Sequence, residues 1–224
     1  MLQKVSVIVP SFNDEKTIGN ELDKLTKIRG VNIGEIIVVD DGSTDKTAGV
    51  VTQSARKNNK IRLVQHSKNK GKGAAMKTGA RAAKNDALVF VDADGQFNVS
   101  EVPKLVKGLK NADMVVGSRK FSDIPLSRRI NNRAARFAVF LGTGKKVRDA
   151  LSGFRAMHKR NFLDLGLKKD RYEIESEINY KALRKNMRVT YVPVTVRYGP
   201  VSKITLKQNV LISLFLIRMV LRLV

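Results

Sequence analysis

Ala87-Leu88-Val89-Phe90-Val91-Asp92-Ala93-Asp94-Gly95-Gln96 is an unbroken apolar run that stops at two aspartates and a glycine turn. Without hydrophobic alternation, such a run reads as a strand buried on both faces, the signature of a parallel sheet covered by helices. Similar runs occupy 5–10, 35–40, 61–65 and 113–117. The segments between them, 17–27, 46–57, 73–84 and 99–110, have helical spacing, with start signals at Ser43 to Asp45 and at Ser100. Strand and helix alternate, so the chain is expected to be an α/β protein. In such sheets ligands bind beyond the carboxyl ends of the strands, where Asp92 and Asp94 fall.

Beyond Arg119 the pattern changes. Residues 121–125 read as a loop, and 126–141 as a basic amphipathic helix. Ile130, Ala134, Phe137 and Leu141 share one face there, with Arg129, Arg133 and Arg136 in a stripe beside it. A strand is expected over 189–196, followed by an apolar helix over 204–224. The division expected is a catalytic unit over 1–204 and a helical appendage over 205–224.

Composition narrows the chemistry. The chain has 224 residues, 42% of them hydrophobic, enough for a core and too many for a disordered chain. It has no cysteine and two histidines, which removes disulfides, thiolate zinc sites, iron–sulfur clusters and cysteine nucleophiles. Any metal must therefore use oxygen ligands. His66 and His158 lie in no motif and read as structural. The first residues enter a strand-like run with no charged and then apolar leader, so an intracellular protein is expected.

Asp92 and Asp94 are two residues apart on extended backbone and point the same way, and Gln96 adds a neutral oxygen. Mg²⁺ or Mn²⁺ holding a diphosphate would suit that set. An isolated Asp-x-Asp is more often a plain turn, but here the neighbouring strand ends carry Asn13 and Asp14, and Asp40 with Asp41. Carboxylates that converge raise one another's pKa unless a cation compensates, which marks a functional site. The Asn69 to Gly73 segment could cradle a phosphate, though close helix packing is the favoured role of its glycines.

Seven segments in order resemble glycosyltransferase family two, in its dolichyl-phosphate mannose synthase branch. They are Pro10 to Asp14 with Ile18, Val38 to Asp45, Asn69 to Gly73, Asp92 to Gln96, Gly117-Ser118-Arg119, Asp149 with Ser152 to Arg155, and Arg197 with Gly199, Ser202 and Lys203. The resemblance implies a GT-A fold, a Rossmann-like, mostly parallel nucleotide-sugar-binding sheet. It also implies a divalent metal and inversion at the anomeric carbon. Carried over residue by residue, Pro10, Phe12, Asp14 and Val39 contact the nucleotide, with Asp40 or Asp41 accepting from the base. Asp92, Ala93, Asp94 and Gln96 form the metal and diphosphate site, with Asp94 and Gln96 the preferred direct ligands. Arg119, Arg133, Arg197 and Lys203 handle phosphate, and Arg129, Arg133 and Ser202 hold the acceptor phosphate. Asp94, Arg119, Arg133 and Arg197 are thus the catalytic set implied.

The donor expected first is GDP-mannose and second UDP-glucose, with a dolichyl-type polyisoprenyl phosphate as acceptor. Such an acceptor is already largely a dianion at pH 7, since its second pKa is about 6, so it needs no strong general base. A glycan hydroxyl, the alternative acceptor, would require one, and Asp149, Glu175 and Glu177 are the candidates, with orienting roles preferred. A sugar-nucleotidyltransferase would need a glycine-rich first turn, and 10–16 contains no glycine.

The 43 Lys and Arg against 20 Asp and Glu leave a formal charge of +23. Nucleic acid is the obvious partner for that excess, but aromatics are only 6% of residues, Trp is absent, and no base-reading motif is present. The apolar stretch 210–224 is too short to span a bilayer and carries Arg218 and Arg222. It is expected to lie in the headgroup layer, docking the protein on the cytoplasmic face of a membrane. A core or dimer-interface helix is the plainer alternative. A membrane-anchoring subunit is the optional further partner.

Overall fold

In the computed structural model, residues 4–198, 215–218 and 220 are described, 123 and 127 by their backbone alone. Strands β1 (Lys4–Ser11) and β2 (Asn32–Asp40) pair in parallel, with Val7 opposite Ile36 and Pro10 opposite Val39. Their side chains alternate between two cores, as a period of two requires. Val5, Val7 and Val9 join one with Ile36 and Val38, while Ile8 joins the other with Ile37 and Val39. Both faces are buried, which is why these strands read as continuous apolar runs.

Strands β3 (Ile61–Gln65) and β4 (Ala87–Phe90) extend the parallel sheet on either side. Helices α1 (Ile18–Thr26), α2 (Thr47–Lys57) and α4 (Val102–Gly108) cover the first core, through residues such as Leu22, Val51 and Leu105. Helix α3 (Lys72–Ala82) covers the second through Ala75, Met76 and Ala80. The expected helix over 99–110 is broken into a 3-10 turn, Val99–Glu101, and α4, with Pro103 in the first turn of α4.

The second half departs from expectation. Strand β5 (Met114–Arg119) does not pair with β4; a four-residue strand, β6 (Arg155–His158), lies between them antiparallel to both. Strand β7 (Val189–Val194) then pairs in parallel with β5, giving the order β3-β2-β1-β4-β6-β5-β7. Because β6 alone is reversed, β5 still runs with β1, β2 and β4. Arg119 therefore leaves the sheet on the same edge as Ser11, Asp40 and Asp92.

Helix α5 (Leu126–Thr143) packs on α7 (Ile174–Arg184) through Ala135, Ala138 and Val139, while α6 (Lys159–Asp164) inserts Phe162 beneath β4. Small residues let α5 and α7 approach closely, while the face of α5 that carries Ile130 and Phe137 is turned outward. Ile130 and Phe137 are 61% and 62% exposed, and Leu126 is 71% exposed. The expected C-terminal helix lies largely outside the described residues. Phe215 to Arg218 and Val220 are helical, and Phe215 and Leu216 join the cluster beneath α5.

Candidate active site

A cavity of about 590 Å³ opens at the carboxyl ends of β1, β4 and β5. Pro10, Phe12, Asp14, Asp41, Asp92, Ala93, Asp94, Gln96 and Arg119 all line it. Thus residues from four chain segments that the sequence pointed to are brought together. Val39 is not among them: its side chain is fully buried against the α3 side of the sheet. Asp40 is also turned away, accepting from the Ser43 amide at 3.0 Å and from Gln65 at 3.2 Å. Asp41 is the carboxylate at the cavity, accepting from the backbone of Lys70 and Gly71 and from His66. Asp14 bends back on its own turn, accepting from Ser11 Oγ and the Phe12 amide at 3.0 Å each.

The floor is built on an ion pair missed in the sequence. Lys72, the first residue of α3, places Nζ 2.6 Å from Asp92 Oδ1 and 2.6 Å from Glu175 Oε1. Burial alone would lower its pKa, but the charges of Asp92 and Glu175 overcome that and hold it well above the ordinary lysine value. Gly71, at φ +103°, and Gly73 lie against the backbone of Lys169 and Asp170, where a Cβ would collide. The glycines thus do serve packing, and Lys72 between them carries the charge. Gly153 completes the floor: a Cβ there would fall 2.6 Å from Asp92 Oδ2 and 2.7 Å from Lys72 Nζ.

Among the described residues Asp94 forms no ion pair of this kind. Its Oδ1 accepts from the Gln96 amide at 3.1 Å. Burial, then the neighbouring charge of Asp92, push its pKa up to about 6. A carboxylate so perturbed beside a second one is a site short of positive charge. No cluster of three or more His, Asp or Glu able to hold a metal occurs among the described residues. Mg²⁺ and Mn²⁺ do not require one, since they commonly take one or two carboxylates and complete their shell with water and substrate phosphate. Asp92, Asp94 and the amide oxygen of Gln96 fit that need. Gln96 Oε1 here accepts from Arg128 at 3.2 Å.

The opposite wall is basic. Arg119 makes a two-pronged pair with Asp149, Nε to Oδ2 and Nη2 to Oδ1, both at 2.7 Å. Its Nη1 reaches Tyr198 Oη at 3.4 Å, and the guanidinium of Arg128 stacks on the same ring at 4.9 Å. Arg128 and Arg119 both line the cavity. The arginines expected to hold the acceptor do not. Arg129 is tied to the carbonyls of Ser122 and Ile124, and Arg133 stacks on Phe121 at 5.0 Å. Helix phase decides this: one residue is a rotation of 100°, and Arg128, just before the stripe, is the arginine that lines the cavity. Arg197 has an exposed side chain outside the cavity wall, while its amide donates to the Gln96 carbonyl at 2.8 Å. Ser202 and Lys203, with Gly199, lie outside the described residues.

The three candidate bases are all engaged. Asp149 holds Arg119, and Glu175 holds Lys72. Glu177 accepts from the amides of Lys168 and Lys169 and from Lys181 Nζ, fixing the loop that carries Arg171 and Tyr172 to the cavity.

The description Glycosyl transferase family 2 matches residues 6–166, which contain the Asp92 to Gln96 turn and the Arg119–Asp149 pair. The chain belongs to glycosyl transferase family 2. It is a glycosyltransferase. It is 31% identical, over 87% of its length and 86% of the relative's, to the UDP-N-acetylglucosamine–dolichyl-phosphate N-acetylglucosaminyltransferase of Methanococcus voltae. It is 30% identical to the dolichol-phosphate mannosyltransferase of Pyrococcus furiosus, over 86% of its own length and 56% of that relative's. Its fold is that of glucosyl-3-phosphoglycerate synthase from Mycobacterium tuberculosis, solved with Mn²⁺, UDP and phosphoglyceric acid. There the TM-score is 0.75 at 22% identity, covering 98% of this chain and 78% of the other. The fold is thus the GT-A fold, with the cavity beyond the carboxyl ends of the strands, where open α/β sheets bind ligands.

Proposed function

We propose that this family two enzyme transfers a hexose from a nucleoside diphosphate sugar to a polyisoprenyl phosphate, with inversion and with a divalent cation bound. The observation that carries this reading is that Asp149, Glu175 and Glu177 are each paired with a cation, while Arg119 and Arg128 line the cavity. A sugar hydroxyl would need one of those carboxylates free as a base, whereas a phosphate dianion needs only cations to hold it. The acceptors named for the two dolichyl-phosphate relatives support the same choice.

In the reaction an acceptor phosphate oxygen attacks the anomeric carbon from the side opposite the diphosphate. The new C–O bond forms as the old one breaks, and the electron pair leaves with the nucleoside diphosphate. Asp92 and Asp94, with Gln96, would hold Mg²⁺ or Mn²⁺, which supplies positive charge to the departing diphosphate. Lys72 pairs with Asp92 and fixes its orientation. Arg119, braced by Asp149, presents a planar fork suited to phosphate, and Arg128 is its partner across the Tyr198 ring.

A lipid-borne acceptor has to be met at a surface. Among the described residues no helix is long and apolar enough to cross a membrane. Helix α5 instead exposes Leu126, Ile130 and Phe137 beside Arg129 and Arg133, a combination suited to an anionic headgroup layer on the cytoplasmic face. Since Arg128 on this same helix lines the cavity, docking there would bring the lipid phosphate to the site. Product analysis after incubation with a polyisoprenyl phosphate and with a free glycan tests the choice of acceptor.

A further inference from the structure

Asp41 is 2% exposed yet lines the cavity, and its hydrogen bonds are unequally shared between its two oxygens. Oδ1 accepts from His66 Nδ1 at 2.7 Å and from the Lys70 amide at 2.9 Å. Among the described residues Oδ2 accepts from the Gly71 amide alone, at 2.7 Å. A carboxylate has about four lone-pair sites, two on each oxygen. Oδ1 is full, and Oδ2 has room for one more donor. His66 is itself fixed from behind, its Nε2 lying 2.9 Å from Thr78 Oγ1 on α3. With an ionised carboxylate on one side, Nδ1 carries its hydrogen whether the ring is neutral or charged, so the donation to Asp41 holds in both states.

We infer that Asp41, with one oxygen occupied by His66, selects a base with a single ring N–H, and that the donor is a uridine diphosphate sugar. This rests on the proposed function and names the nucleotide of that site. Uracil offers one ring N–H between two carbonyls and matches the one open position on Oδ2. Guanine offers an adjacent pair, a ring N–H and an amino group, which pairs side-on with both oxygens of a free carboxylate. Here its second donor would meet a filled Oδ1 and be buried without a partner, which is costly. The corresponding ring nitrogens of cytosine and adenine are acceptors and would face Oδ2 lone pair to lone pair. The reading departs from the GDP-mannose expected from resemblance. His66, which lies in no motif, becomes a positioning residue for specificity.

The test is calorimetric binding of UDP, GDP and CDP to the full chain with Mn²⁺, for the unaltered protein and for His66→Leu and His66→Asn. UDP is expected to bind at least about tenfold tighter than GDP or CDP. In His66→Leu, which opens Oδ1, the UDP-to-GDP ratio should fall to within about threefold, and His66→Asn, which keeps a donor, should retain it. A purely structural role for His66 would weaken all nucleotides alike and leave the ratio unchanged, which overturns the role given to it. GDP or CDP binding as tightly as UDP to the unaltered protein overturns the choice of uridine and leaves the proposed function standing, even if the variants fail to fold. No binding of any of the three overturns the proposed function as well.

Discussion

Lys72 and Asp92 form a 2.6 Å ion pair under the cavity, and the same ammonium pairs with Glu175 at 2.6 Å. One cation therefore neutralises parts of two elements, the end of β4 and the start of α7. Removing it should leave two largely buried carboxylates facing each other. Lys72→Met is expected to cost about 3–5 kcal/mol of stability, measured by urea unfolding. Adding Glu175→Gln to that variant should recover part of the loss, because one of the two uncompensated charges is then gone. Independent, additive losses would contradict the shared pairing.

Arg119 and Asp149 act as a unit. Arg119→Lys keeps the charge but loses the fork, so kcat/KM for the lipid phosphate should fall by about 10² while the fold is retained. Asp149→Asn should also lower kcat/KM, since Arg119 would keep at most one of its two prongs. Steady-state kinetics of the single and double variants should show the two losses to be less than additive.

Helix α5 presents large apolar side chains that pack on nothing among the described residues. Ile130→Glu and Phe137→Glu should change stability by no more than about 0.5 kcal/mol, as surface substitutions do. Each should weaken binding to anionic liposomes by roughly tenfold, since an inserted side chain of that size contributes about 1.5–3 kcal/mol. Co-sedimentation with vesicles measures this, and unchanged binding in both variants would remove α5 from the membrane surface.

Asp94 forms no ion pair among the described residues and sits beside the charge of Asp92. Chelation with EDTA should abolish transfer, and Mn²⁺ or Mg²⁺ should restore it. Asp94→Asn should weaken Mn²⁺ binding and lower kcat by at least about 10². The change should also stabilise the metal-free protein, because it removes a partly buried charge that repels Asp92. Thermal melting with EDTA present reads that last effect directly.

Much of this arrangement was legible in the residues. Ile61–Gln65 is a strand with the bounds expected, and the Asp92 to Gln96 turn stands in the cavity as its motif implied. Strand β6 escaped notice because it is four residues long and opens with Arg155, a fully buried charge that donates to the carbonyls of Ser152 and Glu175. Helix α7 was hidden for a related reason, since Glu175, Ser176, Glu177 and Asn179 are all buried and break the apolar periodicity. Polar residues that look like surface in a sequence here line the back of a charged site. The stripe of Arg129, Arg133 and Arg136 was legible, but spacing alone does not give the rotation of a helix about its axis, and that Arg128 rather than Arg129 or Arg133 lines the cavity needed the packing of α5 on α7. The signal at Lys72 was its place between two glycines that let the backbone of 169–170 come close.

The central claim is that phosphate, not a hydroxyl, receives the sugar. The measurement that tests it most directly is transfer of labelled hexose from UDP-glucose, UDP-N-acetylglucosamine and GDP-mannose to a polyisoprenyl phosphate, with Mn²⁺, beside the matching polyisoprenol and a free glycan. The account predicts a phosphate-linked product of inverted anomeric configuration from at least one donor, and none from the alcohol or the glycan. Transfer to a hydroxyl with none to the phosphate would contradict it.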